Sequence, residues 1–254
     1  MDQIGIDNII LSCMNKNNFS KKPTKYALYS IMAGCFCSIG MAFAYSAGAV
    51  FYDSASVYTL YKLAIGITFA LAFTLIIFAG SELFTGNVFT MSMGVMAKKA
   101  RVFSAIRVCT FCYIFNLIGA AAMGIIIAYS GSLDGTSGVL MIESCLVKTT
   151  LPFTKALLKG FMCNILISLG IWMMAKMKSD VAKMIAIIWV VSGFVTPGYE
   201  HSIANSGLFA MTSVLSTGQI TLSGIVANLL PVTLGNILGG LFIAFVYWFG
   251  GKTD

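Results

Sequence analysis

The chain has 254 residues, 58% of them hydrophobic and only 10% charged, with a net charge of +7. Apolar runs long enough to cross a hydrocarbon layer of about 30 Å recur along nearly all of it, which excludes a soluble globular domain and makes this an integral membrane protein. The positive charge does not point to nucleic acid, because the basic residues collect in alternate connections between the apolar runs.

The first residues, MDQIGIDNIILSCMNK, lack a basic n-region and a cleavage site, so they do not read as a signal peptide. Ile6, Ile9, Ile10, Cys13 and Met14 share one face at helical spacing, and residues 1–22 are expected to form an amphipathic helix along the membrane interface. Six crossings follow at 26–50, 61–97 with an interruption, 108–129, 157–175, 184–215 with an interruption, and 222–249. They make one transmembrane domain over 1–254, with a first repeat at 26–129 and a second at 157–249.

Twelve Lys and Arg residues fall on one side: Lys16, Lys21, Lys22 and Lys25, then Lys98, Lys99, Arg101 and Arg107, then Lys176, Lys178 and Lys183, and finally Lys252. The other side holds four, Lys62, Lys148, Lys155 and Lys159. By the positive-inside rule both termini are expected in the cytoplasm, the protein lying in the cell (inner) membrane. Five of the seven cysteines lie within the expected spans as small hydrophobes. Cys35-x-Cys37 and Cys109-x-x-Cys112 have no second pair or histidine to complete a metal site, and no cofactor is expected.

The chain repeats itself. GSELFTGN at 80–87 and GYEHSIAN at 198–205 share Gly, Glu and Asn at three positions, 118 residues apart. Asn116-Leu-Ile-Gly-Ala matches Asn236-Ile-Leu-Gly-Gly, and Gly34-x-x-Cys37 matches Gly160-x-x-Cys163. Three spans per half is an odd number, so the halves are expected to be related by inverted topology, with spans two and five both broken at mid-membrane by a polar segment. Non-helical backbone at that depth survives only inside protein or beside a wet cavity. Glu82 and Glu200 are therefore expected to support the broken helices by accepting from backbone N–H groups left unpaired, helped by Asn87 and Asn205.

The repeat fails at informative positions. Leu83 stands opposite His201 and Thr85 opposite Ile203. A lone histidine is more often a satisfied core residue than a ligand, but at a broken helix in a membrane an ionisable group is a functional candidate.

FAGSELFTG at 78–86, GFMCN at 160–164 and PGYEHSIAN at 197–205 resemble signature stretches of the formate/nitrite transporter family, and the similarity extends over the six spans. The resemblance implies an all-α, aquaporin-like protomer, five protomers in a ring with one pore each, and passage of small monovalent anions. It assigns His201 as the central histidine, Thr85 as its hydroxyl partner and Lys148 as a buried lysine. It also assigns Leu83 and Phe194 as apolar constrictions on the cytoplasmic side, and carries Asn164 among the residues supporting the breaks. The chain is most similar to the hydrosulfide channel branch, so hydrosulfide is the foremost expected cargo, with formate, nitrite and chloride beside it; no motif separates HS⁻ from formate.

An unpaired anion incurs a large desolvation cost, so a dry pore must supply positive potential or neutralise its cargo. Lys148 would concentrate anions at the mouth, half-helix N-termini would add a dipole, and His201 could donate a hydrogen bond in either protonation state or, as imidazolium, a proton. A formate or nitrite transporter with proton coupling is the alternative. An intramembrane hydrolase using Ser81 or Ser202 with His201 is a remote one, since Ser202 adjoins His201 in sequence and no oxyanion motif is present. A channel for neutral solutes lacks its Asn-Pro-Ala pair.

Overall fold

The computed structural model describes residues 2–54 and 56–251, so Lys252 of the charge count lies outside the described residues. All regular structure among the described residues is helical: α1 Asp2–Phe19, α2 Pro23–Tyr52, α3 Tyr61–Thr68 after a 3-10 turn, α4 Ala70–Leu75 running into a π-turn at Ile76–Gly80, α5 Phe84–Met96, α6 Val102–Tyr129, α7 Thr136–Thr149, α8 Phe153–Lys176, α9 Asp180–Val195, α10 Ser202–Leu215 and α11 Leu222–Gly250. Pro23 opens α2, where its missing N–H costs nothing, and the Ser179 and Thr221 hydroxyls cap α9 and α11 by accepting from Ala182 and Gly224 N–H.

Where six crossings were expected, five helical segments among the described residues are long and apolar enough to span a membrane: Pro23–Tyr52, Tyr58–Gly80, Val102–Tyr129, Phe153–Lys176 and Leu222–Gly250. The remaining expected crossing is split into α9 and α10, of 16 and 14 residues, each short of a full span. The first break follows the 23-residue apolar segment Tyr58–Gly80, and the second follows the 16-residue α9.

α2 packs along α6, and α8 along α11. The broken helices then cross between these pairs: α10 packs on α6 and α2, whereas α5 packs on α11 and α6. This exchange brings the N-terminal ends of α5 and α10 together. The matched glycines explain the close helix pairing, because a Cβ on Gly34 would strike the Asn116 carbonyl and one on Gly160 the Val232 carbonyl.

α1 buries Ile6, Ile9 and Cys13 against α5 and α8, with Trp172 over Gly5. The apolar face thus docks onto protein. Ile10 is half-buried, and Met14, assigned to the same face by spacing, is exposed. All seven cysteines are free thiols.

Candidate functional site

Each break begins with a glycine in the left-handed region, Gly80 and Gly198, both at φ +78°, where a side chain would be strained. Three residues then follow in each before a new helix starts at Phe84 or Ser202. These first N–H groups have no helical carbonyl to bond and lie buried, so each needs a partner.

The partners are Asn116 and Asn236. Phe84 N–H donates to Asn116 Oδ1 at 2.9 Å, and Ser202 N–H to Asn236 Oδ1 at 3.0 Å. The amide nitrogen of Asn116 donates to the carbonyls of Ser30 and Glu82, and that of Asn236 to those of Gly160 and Glu200. Both asparagines were visible in the sequence repeat but were not assigned to the site. Asn164, expected to support the breaks, donates to the carbonyls of Thr85 and Asn236.

The glutamate carboxylates do not take backbone N–H groups, as had been expected of them; they pair with lysines instead. Lys16 Nζ donates to Glu82 Oε2 at 2.7 Å, and Lys148 Nζ to Glu200 Oε1 at 2.7 Å. Asn87 and Asn205 each donate to the same glutamate, five residues before them. A carboxylate is strongest as an acceptor of charge-assisted bonds, and burial of Glu200 makes an ammonium partner worth more than a neutral amide. Lys16 had been counted only as a topogenic charge. Its role surfaces because α1 folds back onto the first break, a long-range contact that leaves no local pattern.

The breaks part company at their centre. His201 is the residue before α10, and Ala204 N–H donates to its Nδ1 at 3.1 Å. That nitrogen carries no proton, so the neutral ring holds its proton on Nε2 and donates it to Thr85 Oγ1 at 3.0 Å. Both residues are buried. Leu83, in the equivalent place before α5, offers no side-chain cap.

A cavity of 280 Å³ leads to His201, lined among others by Tyr45, Lys148, Lys159, Phe194, Gly198 and Glu200. Phe194 lies against the His201 ring, 6.3 Å between centroids, with Phe69 edge-on to it at 6.4 Å. It therefore borders the Lys148 cavity, which corrects its expected grouping with Leu83 on the opposite side. A separate cavity of 410 Å³ lies on the Lys16 face, lined by Asn8, Ser12, Lys16, Phe19 and Glu82. Leu83 is buried and lines neither.

The Ser81 and Ser202 hydroxyls have no hydrogen-bond partner, and His201 is committed to Thr85 and Ala204, so no nucleophile–base pair is assembled. Among the described residues, no group of three His, Cys, Asp or Glu could hold a metal ion.

Comparison with known proteins agrees with this arrangement. The family model described as formate/nitrite transporter matches residues 4–249. The chain is similar to the nitrite transporter NirC of Salmonella typhimurium, 35% identical over 91% of this chain and 84% of that one. It is also similar to the formate channel FocB of Escherichia coli, 33% identical over 88% and 86% respectively. Among solved structures it is similar to an FNT family ion channel, with TM-score 0.89, 34% identity and coverage of 97% of this chain and 98% of that one. A pentameric formate channel with formate bound aligns at TM-score 0.79 and 28% identity, over 91% and 98%. These relatives are transporters and channels rather than enzymes. The buried His–Thr contact between two broken helices thus belongs to an all-helical membrane channel, and the chain is a member of the formate/nitrite transporter family.

Proposed function

We propose that the protein passes small monovalent anions of weak acids, formate and nitrite as its relatives' names indicate, hydrosulfide foremost among further cargo, and chloride beside them. The observation that carries this reading is the His201–Thr85 pair, buried where the N-termini of α5 and α10 meet at the end of a lysine-lined cavity. An anion losing hydration there gains an Nε2–H or hydroxyl donor and the positive ends of two helix dipoles. The apolar edge formed by Phe194 and Phe69 excludes water beside it, which strengthens those bonds, and Leu83 closes the Lys16 side.

The tautomer constrains how a proton could move. A neutral ring whose Nδ1 caps α10 cannot release its Nε2 proton without becoming an imidazolate. His201 therefore serves as a hydrogen-bond donor, and a proton that neutralises the cargo comes from the aqueous cavity. We read the Lys16 face as cytoplasmic from the twelve-to-four distribution of basic residues, in a cell (inner) membrane. Segments 26–129 and 157–249 are read as inverted repeats, because the glutamate–asparagine and asparagine–backbone bonds occur once in each, each glutamate being joined by a lysine from outside its segment. Five copies are proposed to form a ring, by likeness to the pentameric neighbour.

The test is flux into proteoliposomes of HS⁻, formate, nitrite and chloride at fixed pH, with wild type and His201→Leu. Faster passage of the weak-acid anions than of chloride, lost in His201→Leu at normal assembly, is expected. Equal rates for all four, unaltered in the variant, would overturn it.

A further inference from the structure

The cavity leading to His201 is lined by three lysines, Lys62, Lys148 and Lys159, and by a single carboxylate, Glu200. Lys148 spends its charge on Glu200 at 2.7 Å, and the two side chains are only 17% and 3% exposed. Seen from the cavity mouth, such a pair is a short dipole, whose potential dies away much faster than that of a lone charge. Lys148, the residue expected from sequence to concentrate anions, therefore adds little net attraction.

Two cations remain. Lys62 is exposed, its ammonium 5.9 Å from the Tyr61 ring centre. Lys159 is half-buried, has no carboxylate within ion-pair distance among the described residues, and sits at the second break itself. Its carbonyl accepts from Glu200 N–H at 3.2 Å, and its Nζ lies 3.8 Å from where a Cβ would stand on Gly198. The ammonium thus lies within contact distance of the glycine that opens the break. Glu143, which accepts from the Tyr52 hydroxyl, and Asp53, which accepts from Thr136, do not line the cavity. Lys155, one turn earlier on α8, is exposed and does not line the cavity.

We propose that Lys159 is the residue that recruits and positions the anion in front of His201, while Lys148 acts structurally by holding Glu200. This rests on the anion-channel reading above. Lys159 also acts electrostatically on Glu200, whose ion pair is with Lys148; a half-buried ammonium that makes no ion pair of its own is screened less than one in bulk water and attracts an anion to the last hydrated position before Phe194 and His201.

The experiment measures formate and nitrite influx into proteoliposomes for wild type, Lys159→Gln, Lys159→Arg, Lys148→Gln and Lys155→Gln, at ~0.01 M and ~1 M ionic strength, where the Debye length is about 30 Å and about 3 Å. Lys159→Gln should lower influx about two- to five-fold at low salt, raise the half-saturating anion concentration and lose most of the salt dependence. Lys159→Arg should restore all three, and Lys155→Gln should match wild type. Melting temperature should fall in Lys148→Gln but hold in Lys159→Gln. Wild-type salt dependence in Lys159→Gln, or a melting loss there equal to that of Lys148→Gln, would overturn the proposal alone. A wild type that passes neither anion would overturn the anion-channel reading with it.

Discussion

The first and second breaks are built from the same parts and used differently. Each has a glycine at φ +78°, a glutamate paired with a lysine, an asparagine five residues on, and a remote asparagine that takes the first helical N–H. The lysines come from unlike places. Lys16 reaches Glu82 from the N-terminal helix, whereas Lys148 reaches Glu200 from the connection between α6 and α8. The residue between glutamate and helix differs as well, Leu83 in one and His201 in the other. What is duplicated serves to hold a broken helix inside an apolar environment, and what is not duplicated is what we propose to face the cargo.

That division is broken most directly at the glutamates. Glu200→Ala leaves the Lys148 ammonium buried without a partner and should cost on the order of 3–5 kcal/mol. Glu82→Ala should cost less, because Glu82 and Lys16 are more exposed than Glu200 and Lys148. Thermal denaturation of the purified protein checks the ranking; equal losses would show that burial does not set it.

Next come the remote asparagines. Asn116→Ala and Asn236→Ala each orphan a buried N–H and two carbonyls, with an expected loss of about 1–3 kcal/mol for the N–H alone. The two should behave alike in melting and leave anion preference unchanged. A selectivity change in only one would move that asparagine from shared architecture to the pathway.

Smaller still is Gly80→Ala, which forces a side chain into the left-handed region with open space around it, for about 1–2 kcal/mol. Gly198→Ala carries the same strain, and its Cβ would meet Lys159 Nζ only in ordinary contact at 3.8 Å, so the two variants should lose about the same melting stability. Unequal losses would show that one break tolerates a side chain less than the other.

The least stability change is expected at the unduplicated centre. His201→Asn keeps a side chain suited to capping α10 and a donor toward Thr85. An unperturbed histidine titrates near ~6.5, but a proton on Nδ1 would forfeit the Ala204 N–H bond. The variant's pH profile for formate and nitrite should therefore superimpose on that of wild type, with flux reduced a few-fold at most. A flattened profile would show that the ring exchanges protons and that Nδ1 does not stay an acceptor.

Much of the site was legible in the chain because duplication and hydropathy are local properties. The apolar runs, the paired Gly-x-Glu-x-x-x-x-Asn segments, the mismatch of Leu83 with His201 and Thr85 with Ile203, and the family motifs all lie in contiguous residues. They determine a helical membrane protein, two broken helices, and a histidine and threonine as the candidates at the centre. Tertiary structure decided the rest. Which donor satisfies Glu82 depends on α1 folding back across 66 residues, and which acceptor caps Phe84 or Ser202 depends on α6 and α11 lying beside the breaks. Whether Lys148 draws anions or is neutralised depends on a contact 52 residues distant, and the side on which Phe194 stands depends on how α9 packs. Charge pairing and burial are properties of pairs of atoms in space, and spacing along a chain constrains them only within a few turns of one helix.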